Sequence, residues 1–210
     1  MNNNFYVAVC FSFFPYFCTY HFSIYEQLMN NSKHPKTKIQ EMHRLTPEEY
    51  DGSAKTPLVV VLDHVRSLHN VGSVFRTSDA FRLCGVCLCG ITATPPNAEI
   101  HKTALGAEDT VRWRYYSNTQ DAVRELKQEG YEVLAVEQCH GSVMLQDFRP
   151  GKGRRYAVVL GNEVKGVQQE VVDLCDHCIE IPQFGTKHSM NVSVTAGIVI
   201  WHFARTLLLE

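Results

Sequence analysis

The sequence predicts an α/β domain on a mainly parallel sheet with helices on both faces. Three observations carry that expectation. Short apolar runs rich in β-branched residues recur at residues 58–63, 131–136 and 155–160, the composition of strands buried on both faces. Segments of helical apolar spacing alternate with them, the order of a parallel sheet with crossover helices. Loops bearing Gly and a few polar side chains follow the apolar runs and crowd into the carboxy-terminal half.

Taken in order, Leu58-Val59-Val60-Val61-Leu62-Asp63 reads as the first strand. A loop carrying Asn70 and Gly72 follows. Val74, Phe75, Ser78, Ala80 and Phe81 then fall at roughly helical spacing, which predicts Arg76 near the start of a helix. Residues 85–91 read as the second strand, with Cys87 and Cys89 as small buried hydrophobes. Residues 122–128 read as a helix stopped by Gly130, because glycine adopts a left-handed cap without strain. Residues 131–136 and 155–160 supply two more strands, residues 176–181 a short one, and residues 192–209 a long final helix with Ser193 at its start.

Composition narrows the function classes. A chain of 210 residues, 45% hydrophobic, suits one ordinary domain plus an extension. With 20 Lys+Arg against 22 Asp+Glu, the net charge of −2 argues mildly against a uniformly basic nucleic-acid surface. Local clusters soften that: Lys152 with Arg154 and Arg155, and Arg112 with Arg114. Cys84-x-x-Cys87 and Cys175-x-x-Cys178 have zinc-knuckle spacing, but the pairs lie too far apart for a finger, so no metal is expected. His64, His69 and His188 flank the motifs below and read as loop residues. No G-x-G-x-x-G follows the first strand, and residues 161–166 lack the phosphate-gripping G-x-x-x-x-G-K-[ST] pattern. A conventional dinucleotide-type site is therefore not expected.

Residues 1–41 read as a dispensable extension, disordered or translated from a misassigned start, before a folded domain at 42–210. Residues 5–25 are aromatic and uncharged but interrupted by Ser12, Pro15, Thr19, His21 and Ser23, and they lack the basic and small-residue marks of a signal peptide. The expectation is a cytoplasmic protein with reduced thiols and no membrane partner, anchoring through residues 5–25 being the minority alternative.

Three stretches carry the chemistry: Asn70-Val71-Gly72-Ser73-Val74-Phe75-Arg76; Leu160-Gly161-Asn162-Glu163-Val164-Lys165-Gly166; and Ile181-Pro182-Gln183-Phe184-Gly185-Thr186-Lys187-His188-Ser189-Met190-Asn191-Val192-Ser193. Their order and spacing, N-x-G-x-x-x-R, L-G-x-E-x-x-G and I-P-x-x-G-x-x-x-S-x-N-V-S, resemble the signature of the SpoU (TrmH-like) family, ribose 2′-O-methyltransferases of the SPOUT superfamily. The resemblance covers residues 58–208. Met190 stands where that pattern has Leu, a nearly volume-conserving exchange, and Gln183 where it has Met.

That resemblance implies a trefoil knot over about residues 131–210, S-adenosylmethionine (SAM) as methyl donor, tRNA or rRNA as substrate, and a homodimer built partly on the final helix. The chain's small size is closer to the tRNA-modifying members. By the same carry-over, Arg76 is the residue essential for activating the hydroxyl. A guanidinium stays protonated, so it would act by hydrogen bonding and by stabilising the forming alkoxide. Asn70 would position substrate or support its loop, Glu163 would orient Arg76 or the substrate or form a structural salt bridge with that Arg, and Ser189 and Asn191 would reach the reacting centre or fix the loop. Val136, Leu160, Gly161, Gly166, Ile181, Pro182, Gly185 and Met190 would surround the cofactor, largely through main chain. The two rival readings are a base-nitrogen methyltransferase of another SPOUT branch and a non-catalytic RNA-binding or assembly factor. Arg76 and the S-x-N-V-S loop argue against the first, and retention of Arg76, Glu163 and Asn191 argues against the second.

Overall fold

A computed structural model describes residues 33–209 of the chain. The chain divides into two compact units, Met1–Leu45 and Thr46–Glu210. In the first, the described residues form one 3-10 turn, Ile39–Met42. The aromatic stretch at residues 5–25 lies outside the described residues.

The second unit is an α/β domain. In chain order it contains α1 (Pro47–Gly52), β1 (Thr56–Asp63), α2 (Leu68–Ala80), β2 (Leu83–Cys89), α3 (Ala98–Ala104), α4 (Ala107–Thr110) and β3 (Trp113–Tyr116). It continues with α5 (Thr119–Gln128), β4 (Tyr131–Val136), β5 (Val143–Met144), β6 (Arg155–Leu160), α6 (Gln169–Val172), β7 (His177–Glu180) and α7 (Val192–Ala204), closed by a π turn at Arg205–Leu209. Among the described residues the strands form one sheet in the order β3-β2-β1-β6-β4-β7-β5, every pair parallel.

Strand alternation divides the core between two faces. Leu58, Val60 and Leu62 of β1, with Tyr156, Val158 and Leu160 of β6, join Val71, Val74 and Phe75 of α2 and Val199, Ile200 and Phe203 of α7. Val59, Val61, Ala157 and Val159 join Ala122, Val123 and Leu126 of α5 and Val171 of α6. Both faces of the central strands are covered, which is why β1 reads as an unbroken apolar run. Phe75 and Phe203 are fully buried, each contributing roughly 1.5–3 kcal/mol by leaving water. Phe203 also meets Tyr156 edge-on at 5.2 Å between ring centres. The segment Val192–Leu209 is long and apolar enough to cross a membrane by length and composition, but it packs Val199, Ile200 and Phe203 into this core.

Several local expectations are corrected. The helix carrying Arg76 begins at Leu68, so Asn70 and Gly72 are helical and Arg76 lies mid-helix. Ser67 starts it by accepting the Asn70 N–H at 3.3 Å. Gly72 marks helix packing rather than a loop: a Cβ there would overlap Thr103 and the Ile100 carbonyl of α3. Strand β2 runs two residues earlier than expected and stops before Gly90, whose φ of +62° ends the extended run. The edge strand β3, with the half-exposed sequence WRYY, gave no apolar run to read. The two-residue β5 is too short for any periodic signal.

Candidate active site

The carboxyl ends of β4, β6 and β7 open onto a cavity of about 310 Å³. Ligands of open α/β sheets bind at such strand ends. Asp63, at the end of β1, anchors the loop after β6 that lines this cavity. Fully buried, its carboxylate accepts Gln168 N–H at 2.9 Å, Gln168 Nε2 at 2.8 Å and Thr119 Oγ1 at 2.5 Å. A buried carboxylate is tolerated only when donors replace its water, and here they tie the loop after β6 to β1 and α5.

That loop, residues 161–168, folds back on itself. Asn162 Oδ1 accepts the N–H groups of Val164 at 3.0 Å and Lys165 at 2.8 Å, and Asn162 and Gly166 exchange main-chain hydrogen bonds. A Cβ on Gly161 would overlap Gly166 and Val167. Gly166 has φ +68°, and a Cβ there would meet the carboxylate of Glu137. Gly161 therefore permits a close approach within the loop, and Gly166 one between the loop and Glu137. Glu137 bridges in the same place, accepting the N–H groups of Val167 and Gln138, each at 2.9 Å.

Glu163 turns from the same loop toward α2. Its carboxylate accepts Asn70 Nδ2 at 2.9 Å and the N–H groups of Arg66 at 3.3 Å and Ser67 at 3.4 Å. An anion at the amino end of a helix is favoured by the unpaired N–H groups there. Burial opposes its charge, but main-chain donors and the Asn70 amide outweigh it and hold the carboxyl below the usual carboxylate range. Asn70 Oδ1 in turn accepts Asn191 Nδ2 at 3.2 Å. Asn191 caps α7, its Oδ1 accepting Ser193 N–H at 2.9 Å and Val194 N–H at 3.3 Å. The cap is thus two residues earlier than Ser193, the residue expected to start the helix. Three motifs distant in sequence meet in one hydrogen-bonded chain, Glu163–Asn70–Asn191.

Of the residues singled out from sequence, Val136, Leu160, Gly161, Glu163, Gly166, Ile181, Ser189 and Met190 line the cavity. Pro182 and Gly185 are exposed and stand off its wall, while Asn70 and Asn191 support its mouth through Glu163. Arg76 is exposed on α2, outside the cavity lining, with no hydrogen bond or ion pair among the described residues. Glu163 therefore orients the α2 terminus and not Arg76 within this subunit. Sequence reading missed Glu137, Gln138, Glu180 and Thr195, and it left His188 without a role, though all five line the cavity. It also missed Asp63 as an anchor, although a carboxylate ending an apolar run was a visible signal.

The third motif loop is open to ligand. Gln138 Nε2 donates to His188 O at 2.9 Å, and no other main-chain group of residues 181–190 is hydrogen-bonded among the described residues. Apolar walls at Val136, Leu160, Ile181, Met190 and Val192, free main-chain donors and acceptors, and this volume fit a flat, polar-edged nucleoside. A larger hollow, about 630 Å³, lies at the opposite end of the strands beside the Asp51–Arg112 ion pair and holds none of the motif residues. Burial pushes the Cys87 thiol up to about 11, so it behaves as an inert core residue. No cluster of three or more His, Cys, Asp or Glu is placed to hold a metal among the described residues.

Comparison with known proteins agrees with this geometry. The 23S rRNA (guanosine-2′-O-)-methyltransferase of Neisseria meningitidis serogroup B is 33% identical over 157 residues, 75% of this chain and 62% of the relative. Its namesake in Nitrosomonas europaea is 34% identical over 159 residues, covering 74% and 58%. The chain thus spans about six tenths of the length of these curated relatives. Among solved structures, an AdoMet-bound rRNA methyltransferase from Sinorhizobium meliloti superposes with a TM-score of 0.68 at 28% identity, over 79% of this chain and 62% of that one. The family description "SpoU rRNA Methylase family" matches residues 57–201, a span that takes in all three motifs, and it is to this family that the chain belongs.

Proposed function

We propose that this protein is a SAM-dependent RNA methyltransferase acting on a ribose 2′-hydroxyl of tRNA or rRNA in the cytoplasm. One observation carries the reading: the second and third motifs line a nucleoside-sized cavity and are tied to the first motif on α2 by the Glu163–Asn70–Asn191 chain. The names of the relatives at 33% and 34% identity point the same way. When bound, SAM would supply an electrophilic methyl group. Val136, Leu160, Ile181 and Met190 would enclose its adenosine and exclude water, while the unpaired main chain of residues 181–190 would read its polar edge. Ser189, on the cavity wall, is available to hold the ribose hydroxyl.

The knot expected over residues 131–210 belongs to this proposal. Its support is the strand order, in which β6 lies between β1 and β4 while β7 follows on the far side of β4. A homodimer belongs to it too. Val194, Ile198 and Trp201 form an exposed apolar stripe along α7, and α7 packs beside α2, the helix that bears Arg76. Arg76 is outside its own cavity, so we infer that it serves the site of the second subunit, donating hydrogen bonds to the reacting hydroxyl or an adjacent phosphate.

The test is label transfer from radioactive SAM to tRNA and rRNA fractions, wild type beside Arg76→Ala, with SAM affinity from calorimetry. The expected result is an alkali-resistant labelled dinucleotide from wild type, activity at least about a hundredfold lower in R76A, and an unchanged SAM Kd. Absence of SAM binding by wild type would sink the proposal.

A further inference from the structure

From Thr46 onward most cationic side chains are engaged. Arg112 pairs with Asp51, Arg114 with Glu125 and Glu129, Arg124 with Asp121, Lys127 with Asp176, and Arg154 with Glu132. Lys165 and Lys187 have no hydrogen bond or ion pair from the side chain among the described residues. They occupy the loops after β6 and β7, and Lys165 lines the cavity with Gln183 and His188, which flank Phe184 and Lys187.

The same loops hold out two apolar side chains. Val164 is 73% exposed and Phe184 is 96% exposed. A single exposed hydrophobe needs no explanation, but a bare phenyl ring three residues from an unpaired lysine, in a loop that lines a nucleoside-sized cavity, has a specific complement. Single-stranded RNA offers unstacked bases to aromatic rings and phosphates to lysines. The core of a subunit interface is instead depleted of lysine, as along Val194, Ile198 and Trp201, where no charged residue intervenes.

We propose that Phe184 is the stacking platform for the base of the nucleotide to be methylated, with Lys165 and Lys187 meeting the adjoining phosphates. This rests on the reading of the cavity as the methyl-donor site and adds how that site holds its RNA. The partner is an unpaired nucleotide in an RNA loop or end, because a base inside a duplex presents no free face.

The experiment compares wild type with Phe184→Ala, Phe184→Tyr, Phe184→Leu, Lys165→Ala and Lys187→Ala. Label transfer from SAM to total RNA, SAM calorimetry and sedimentation are read for each. The expected result is a kcat/KM for RNA about tenfold lower in F184A, carried by KM, the loss that follows removal of one stacked base. F184Y stays near wild type, F184L stays near F184A, and each lysine variant flattens the salt dependence of RNA binding. SAM affinity stays unchanged in the Phe184 and Lys187 variants, and sedimentation stays unchanged throughout. Wild-type kcat/KM in F184A overturns the proposal, as does rescue by leucine equal to tyrosine. So does a changed oligomeric state in F184A, which would make Phe184 a contact between copies. A separate arm measures quenching of 2-aminopurine in a mixed-sequence RNA of about 12 nucleotides. Quenching by wild type that is lost in F184A supports the stack even if no methyl group is transferred. No quenching by wild type overturns it even if SAM binds.

Discussion

Asn70 and Glu163 are 93 residues apart in sequence and joined by a 2.9 Å hydrogen bond. The family resemblance made each a candidate for positioning substrate, and in the structure each is hydrogen-bonded to protein. Glu163 has a pKa held below its ordinary value, so the unfolded chain binds its proton more readily. Its contribution to stability is complete above the unfolded value, about 4.3, and is lost as pH falls through the lower folded value. Denaturation midpoints measured from pH 7 to pH 3 should fall more steeply for wild type than for E163Q; parallel slopes would count against the assignment. Gly161 offers a sharper residue-scale test, since a methyl group there meets main chain that cannot swing aside. Gly161→Ala should cost about 1–3 kcal/mol of unfolding free energy and abolish SAM binding, read by thermal melting and calorimetry.

At the scale of elements, the first motif lies inside α2, which starts from the cap Ser67, whereas α7 starts at the end of the third motif and is capped by a motif residue, Asn191. Asn191 satisfies two N–H groups of α7 while its amide nitrogen reaches Asn70. Asn191→Ala should therefore lose about 1 kcal/mol, the ordinary value of a cap, and also loosen the cavity mouth. Asn191→Asp should keep the cap and lose only the bond to Asn70. Comparing the two by urea denaturation and SAM affinity separates helix from site: equal SAM affinities in both variants would deny Asn191 any part beyond capping. Strands β1, β4 and β6 were legible because both their faces are covered, which leaves no polar alternation to confuse the pattern. Strand β3, at the sheet edge and half exposed, had no such signal, and the start of α2 was obscured because Gly72 resembles loop punctuation.

At the scale of the whole molecule, the described residues include an exposed apolar stripe on α7, Val194, Ile198 and Trp201, with relative exposures of 54%, 38% and 50%. If this stripe joins two copies, Ile198→Asp combined with Trp201→Glu should convert a dimer to a folded monomer. The same variant should lose methyl transfer by at least about a hundredfold, because Arg76 would have no second site to serve. Sedimentation equilibrium with circular dichroism checks it, and a fully active monomer would reject the trans role of Arg76.

The sequence by itself determined the fold class, the positions of the three motifs and the apolar residues that wall the cavity. Apolar periodicity and short loop patterns are local properties, and each survives in a window of a dozen residues. Only the tertiary structure decided what the polar motif residues touch. It turned Glu163 from Arg76 to the α2 terminus, made Asn191 a cap, assigned Gly161 and Gly166 to packing within and against their loop, and brought Asp63 and Glu137 into the site. Those assignments depend on which strand ends become neighbours in the sheet, and hydrogen bonds spanning 93, 105 and 121 residues leave no periodic trace in the chain.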